Sequence, residues 1–155
     1  THRTEDSMAG LRMLFVSLLL FVSGASAQTR YLTSMEEARK VSEGIVASVA
    51  GGNYGGAIKE LRPLSVIAAT DFDVFEAQFN SQQANLLRQF GSAAGYEFVR
   101  EEMMGARLIR YRYLVFHEKS AMHWLFIFYK SEKGWVISHF AFDGNAMTYF
   151  SGGGP

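Results

Sequence analysis

Between Met13 and Val22 the sequence holds an apolar run of about ten residues, preceded by Arg12 and followed by the small residues Ala25-Ser26-Ala27. A cationic flank, a short apolar core and a small-residue cleavage site in that order read as a secretory signal peptide over Met8–Ala27. A helix that crosses a bilayer needs about 18 or more apolar residues. The run is therefore read as a cleaved signal rather than an anchor, and no membrane span is expected after cleavage. The chain has no cysteine, which excludes a lipid anchor on a thiol. Residues 1–7 precede the first methionine and are set apart as upstream sequence. A secreted or periplasmic protein beginning at Gln28 is expected, and any fold must be built from that residue onward.

Residues 28–150 suit a single domain with one continuous core, and Ser151-Gly152-Gly153-Gly154-Pro155 reads as a flexible tail. Setting aside Arg3 and Arg12 among the 15 basic residues, and Glu5 and Asp6 among the 15 acidic ones, leaves equal numbers of each sign. A nucleic-acid partner, which calls for a positive excess, is disfavoured. Without cysteine there is no disulfide, thiol nucleophile or thiolate metal site, so stability must come from apolar burial.

The pattern along the chain changes once. Ser34-Met35-Glu36-Glu37 fits a capping box, and Ala38, Val41, Ile45 and Val49 recur at helical spacing up to Gly51-Gly52. Asn53 fits the cap of a shorter helix with Tyr54, Ala57, Ile58 and Leu61, which Pro63 is expected to end by moving Arg62 out of helical angles. Thr70-Asp71 offers a third start, and Phe72, Phe75, Phe79, Leu86, Leu87 and Phe90 continue to Gly91, with a kink expected near Asn80-Ser81. Past Gly95 the period becomes two. Strands are expected over 96–103, 107–116, 122–130 and 135–142, with connections short enough to force antiparallel neighbours. Helices first and a meander second give an α+β fold, with N-terminal helices packed on one face of a curved four-stranded antiparallel sheet.

That order resembles the NTF2-like, cystatin-like superfamily of α+β cone domains, over Ser34 to Phe150. The resemblance is carried by Ala47–Leu61, where a first helix passes through Gly52-Asn53-Tyr54 into Ala57-Ile58, and by Gly134-Trp135-Val136-Ile137 leading to Phe140-Ala141-Phe142-Asp143. The chain looks most like small exported members of uncharacterised function. For an enzyme, the resemblance implies a carboxylate or His–Asp pair inside the cone.

Candidate site residues sit in the strand half. Alternation puts His123, Leu125 and Ile127 on one face of their strand and Met122, Trp124, Phe126 and Phe128, the expected core, on the other. On the last strand it puts Trp135, Ile137, His139 and Ala141 together, so His123 and His139 are expected to face the same way, with Asp143 in phase. These three are the catalytic candidates. No spacing shows a metal ligand set, and neither metal nor cofactor is expected. Arg110 and Arg112 share a face with Leu108, Leu114 and Phe116. Tyr111 and Tyr113 lie opposite with Ile109 and Val115, and which face is interior stays open because both carry aromatics. Arg110, Arg112, Tyr111 and Tyr113 are the ligand-binding candidates, the arginines for a carboxylate or phosphate, unless they pair with Glu97, Glu101 or Glu102 on the neighbouring strand.

No nucleophile elbow, phosphate loop or dinucleotide glycine pattern is present. The expectation is a non-catalytic module that binds a small apolar or anionic ligand or another protein and forms a homodimer through the open sheet face. Ile109, Tyr111, Tyr113, Leu125, Ile127 and Ile137 are the expected patch. The alternative is a small-molecule isomerase or hydrolase with an acid–base pair in the cone.

Overall fold

Ser34 is extended, at φ −145° and ψ 162°, and its Oγ accepts the Glu37 amide at 3.0 Å, so α1 (Met35–Ala50) starts at the expected cap. The Glu37 carboxylate reaches back one residue further than a capping box requires. It accepts the Thr33 amide at 2.8 Å and the Thr33 hydroxyl at 3.0 Å, and those bonds hold its pKa below the ordinary value. Asn53 caps α2 (Tyr54–Leu61) by accepting the Gly56 amide at 3.0 Å. The computed structural model describes residues 28–150; the expected signal peptide, the residues upstream of it and the glycine tail lie outside the described residues.

Two local expectations in the helical half are corrected. Arg62 stays helical, at φ −52° and ψ −54°, and the chain tightens into a 3₁₀ turn over Arg62–Leu64 with Pro63 in its first positions. The preference imposed by a following proline is offset here by tertiary contacts. The Arg62 guanidinium meets Asp73 at 2.8 Å and Glu76 at 2.6 Å and lies 4.6 Å from the centre of the Phe72 ring. The third helix, α3 (Ala69–Phe90), starts after Ala68 with no side-chain cap and runs as one 22-residue element through Asn80-Ser81. Ser81 bonds its hydroxyl to the Gln78 carbonyl within that run. Gly91, at φ +80°, ends it in a conformation that favours glycine.

The strands β1 (Ala93–Met104), β2 (Leu108–His117), β3 (Ala121–Ser131) and β4 (Gly134–Asp143) form one antiparallel meander in sequence order. A four-residue helix, α4 (Ala146–Tyr149), follows. The architecture is α+β, with α1, α2 and α3 gathered on one face of the sheet, as the NTF2-like resemblance implied. One edge is partly covered: Leu32 exchanges backbone hydrogen bonds with Trp135, each at 2.8 Å, and Ser65 bridges Ile137 in parallel. Gly134, at φ +127°, allows this approach, since a Cβ there would stand 2.5 Å from the Leu32 carbonyl oxygen.

The core lies between helices and sheet. From the strands it takes Ile109, Tyr111, Tyr113 and Val115, then Met122, Trp124, Phe126 and Phe128, then Trp135 and Ile137. From the helices it takes Ile45, Val46, Val49, Leu61, Phe72 and Phe79. Phenylalanines of α3 meet those of β4 edge to face, Phe75 on Phe140 at 5.0 Å and Phe79 on Phe142 at 5.4 Å between ring centres. Phe140 and Phe142 thus face inward together with Trp135 and Ile137, residues that simple alternation puts on the opposite side of β4 from them. A β-bulge between Ile127 and Phe128 on β3, opposite His139 and Ile137, leaves Ser138 without a paired residue and reverses the phase of everything after it. Among the described residues no helix is long and apolar enough to cross a membrane.

Candidate functional site

The pairing register places residues in lateral rows on the face of the sheet that α1, α2 and α3 leave uncovered. Glu97, Leu114, His123 and Asp143 form one row across β1 to β4. Arg100, Arg112, Leu125 and Ala141 form the next, and Glu102, Arg110, Ile127 and His139 the one after. A second β-bulge, at Val99 between Phe98 and Arg100, brings Arg100 and Glu102 into this set by reversing the phase of β1. Simple alternation would put both Arg100 and Glu102 with Tyr96 and Phe98, and Arg100 is the member not named from the sequence.

Three guanidinium groups converge on one carboxylate. Arg110 Nε donates to Glu102 Oε2 at 2.6 Å, Arg112 Nε lies 3.0 Å from the same oxygen, and Arg100 Nη2 lies 3.3 Å from Glu102 Oε1. The hydrogen bond from Arg110 is the main cause that holds the Glu102 carboxyl below its ordinary pKa. Arg112 is only 8 % exposed although no helix covers it. Its position on the inner strand β2, between Arg100 and Leu125 across the sheet, buries its stem against its neighbours. Its buried Nε faces Glu102 Oε2 as an ion pair. Burial first, and the nearby Arg110, lower the pKa of Arg112. The cluster has more cation than its one carboxylate can serve.

The four ligand-binding candidates do not form one site. Arg110 and Arg112 stand on the open face, whereas Tyr111 and Tyr113 point into the core, where their hydroxyls donate to the Met35 carbonyl at 2.9 Å and the Arg39 carbonyl at 3.4 Å. Burial pushes the Tyr111 phenol up to about 12 and raises Tyr113 further. The expected dimer patch divides in the same way. Ile109, Tyr111, Tyr113 and Ile137 are buried under the helices, and only Leu125 and Ile127 belong to the open face.

The catalytic candidates all lie on the open face and not inside the cone. His123 is paired in register with Asp143, a closer relation than the His139–Asp143 spacing provides, while His139 sits opposite Ile127. Tyr149 of α4, which the sequence does not signal, closes over this corner. Its ring is 5.4 Å from the His123 imidazole, its hydroxyl accepts the His123 amide at 3.2 Å, and it donates to the Ala121 carbonyl at 2.9 Å. Burial, and then the charge of Arg112, hold His123 below its ordinary pKa of 6.5, with Asp143 pulling the other way. No group of His, Asp and Glu among the described residues is arranged to hold a metal ion.

Inside, little room remains. The cavity bounded by Ile45, Tyr54, Ile58, Phe75, Phe79 and Trp124 measures about 10 Å³, and its lining is apolar. Two inward polar atoms have no hydrogen-bond partner, Trp124 Nε1 and His117 Nε2. His117 is tied at its other nitrogen, Nδ1 donating to the Gly91 carbonyl at 3.0 Å. Two larger recesses open to the surface. One of about 570 Å³ lies between the end of α3 and the exit of β4, lined by Leu86, Phe90, Met122, Phe142 and Asn145. The other, about 270 Å³, is a mainly apolar groove on the open face beside the arginines, formed by Met103, Met104, Leu108 and Ile127 with Glu102 and Arg110 at its polar end.

No family model and no curated protein matches the sequence. Among solved structures the chain is similar to a protein named "Putative NTF2-like transpeptidase" from Campylobacter jejuni, at 12% identity and a TM-score of 0.43, over 67% of this chain and 95% of that one. A likeness of that degree says nothing of the site or the activity.

Proposed function

We propose that the protein is a non-catalytic binding module whose working surface is the open face of its sheet, and that a second copy of the chain is one of its partners there. The observation that carries this reading is the contrast in occupancy. Between α1, α2 and β3 aromatic and aliphatic side chains leave a cavity of only about 10 Å³, whereas Leu114, Leu125 and Ile127 remain partly exposed on the face that α1, α2 and α3 leave uncovered. With Met8–Ala27 as a cleaved export signal, the module works outside the cytoplasm. Intact mass of exported material should then start at Gln28.

Sedimentation tests the dimer. Leu125→Lys places a cation beside Arg112 on the open face and should release monomers without loss of helical or sheet signal. A wild-type protein that stays monomeric at high concentration would remove the self-association and leave only partners of other kinds.

A further inference from the structure

We propose that Arg100, Arg110 and Arg112, with the groove beside them, form a binding site for an aliphatic monocarboxylate, an anionic head on the arginines and its chain along Met103, Met104, Leu108 and Ile127. This deepens the reading of the open face as a binding surface by naming a ligand class for one part of it.

Charge is the first support. Three guanidinium groups share the single carboxylate of Glu102, and the acids Glu97 and Asp143 on this face lie in the row of Leu114 and His123, next to the row of Arg100 and Arg112. A second carboxylate would supply further counter-charge, and the planar fork of arginine fits a carboxylate in bidentate geometry, which no arginine here achieves with Glu102, each meeting it through one nitrogen. The second support is Arg112 itself. It is 8 % exposed, and its Nε, 3.0 Å from Glu102 Oε2, shares that oxygen with Arg110 Nε at 2.6 Å, so two guanidinium groups compete for one acceptor. The third is the groove. It begins where Arg110 and Glu102 end and is lined beyond them by methionine, leucine and isoleucine, so a ligand that reaches both must be anionic at one end and apolar along the rest.

Titration calorimetry of the purified protein with dodecanoate below its micelle concentration tests the inference, with dodecyltrimethylammonium and acetate as comparison ligands. Dodecanoate should bind saturably at one site per chain, the cation of equal length should give no saturable heat, and acetate should bind at least about tenfold more weakly. Arg110→Ala should weaken dodecanoate by about ten- to a hundredfold, the range for a hydrogen bond to a charged group. Leu108→Asp leaves all three arginines and Glu102 in place and should abolish dodecanoate binding while thermal unfolding remains cooperative. Equal binding of dodecanoate and the cation, no saturable heat with dodecanoate, or full affinity in a folded Leu108→Asp protein would overturn the site. Sedimentation of the same samples separates this from self-association. A monomer that binds dodecanoate keeps the site and removes the dimer, and a dimer that takes no dodecanoate does the reverse.

Discussion

Residues 125 and 126 are neighbours in β3 and live in different solvents. Phe126 is fully buried and touches Tyr113 and Trp124 in the aromatic layer under the helices. Leu125 stands on the other face between Arg112 and Ala141 and keeps part of its surface in water. The inner strand β2 makes the same division, with Tyr111 and Tyr113 against Arg110 and Leu114. The inner face is a packed layer of rings, in which Tyr111 and Tyr113 bond backbone carbonyls. The outer face combines scattered apolar residues with an ion cluster that is short of anions. Stability is concentrated on the first face and the capacity to recognise something is left to the second.

The largest expected effect tests that division. Phe126→Ala should cost about 3–5 kcal/mol in urea unfolding, the range for deleting a buried ring, and Trp124→Ala should cost a similar amount because its ring stacks on Phe142 at 4.8 Å. Leu125→Ala, one position along, should cost about 1 kcal/mol or less in the monomer, as a half-exposed side chain gives up less burial. Equal losses at 125 and 126 would mean that the open face is covered in solution.

Next in size is the ion cluster. Glu102→Gln leaves three arginines with no counter-charge and should cost about 2 kcal/mol, below the ~3–5 kcal/mol of a fully buried pair because Glu102 keeps some exposure. Arg112→Met removes a buried cation that shares its acceptor oxygen with Arg110, and one of three like charges, and should be neutral within about 1 kcal/mol. A large loss from Arg112→Met would show that the third arginine is a structural member of the face rather than surplus charge.

The smallest effect is the dependence on pH. The His123 pKa is lowered in the folded protein, so the unfolded chain binds its proton more readily and the folded state loses stability as pH falls from about 6.5 toward the folded value. Glu102, also lowered, adds a second loss as pH falls through the ordinary carboxylate value of 4.5 toward its own folded value. Both signs agree, and replacing His123 with Asn should flatten only the upper step of an unfolding profile measured from pH 8 to pH 3.

Much of this was legible in the sequence wherever the controlling forces act within a few residues. Ser34 and Asn53 cap helices because their side chains reach amides three positions on, and that reach is independent of the rest of the fold. In β3 the alternation of Met122, Trp124, Phe126 and Phe128 with Ala121, His123, Leu125 and Ile127 gave both faces, since one set is so much larger and more apolar. In β2 the same rule separated Tyr111 and Tyr113 from Arg110 and Arg112 but could not say which set lies inside, because tyrosine and the stem of arginine both tolerate burial. Arg100 and Glu102 joined the arginine face only through the bulge at Val99, and Tyr149 reached His123 only because α4 folds back over β3.

Chain order, the starts of α1 and α2 and the strand period outside the bulges were thus determined by the sequence itself, because caps, turns and pleat depend on bonds between near neighbours. The tertiary structure alone decided which face of the sheet the helices cover, where the bulges at Val99 and Ser138 reverse the alternation, and that three arginines share one carboxylate. Those outcomes depend on register between strands and on which phenylalanines of α3 find partners on β4, and contacts between residues far apart in sequence exist only once the chain has closed on itself.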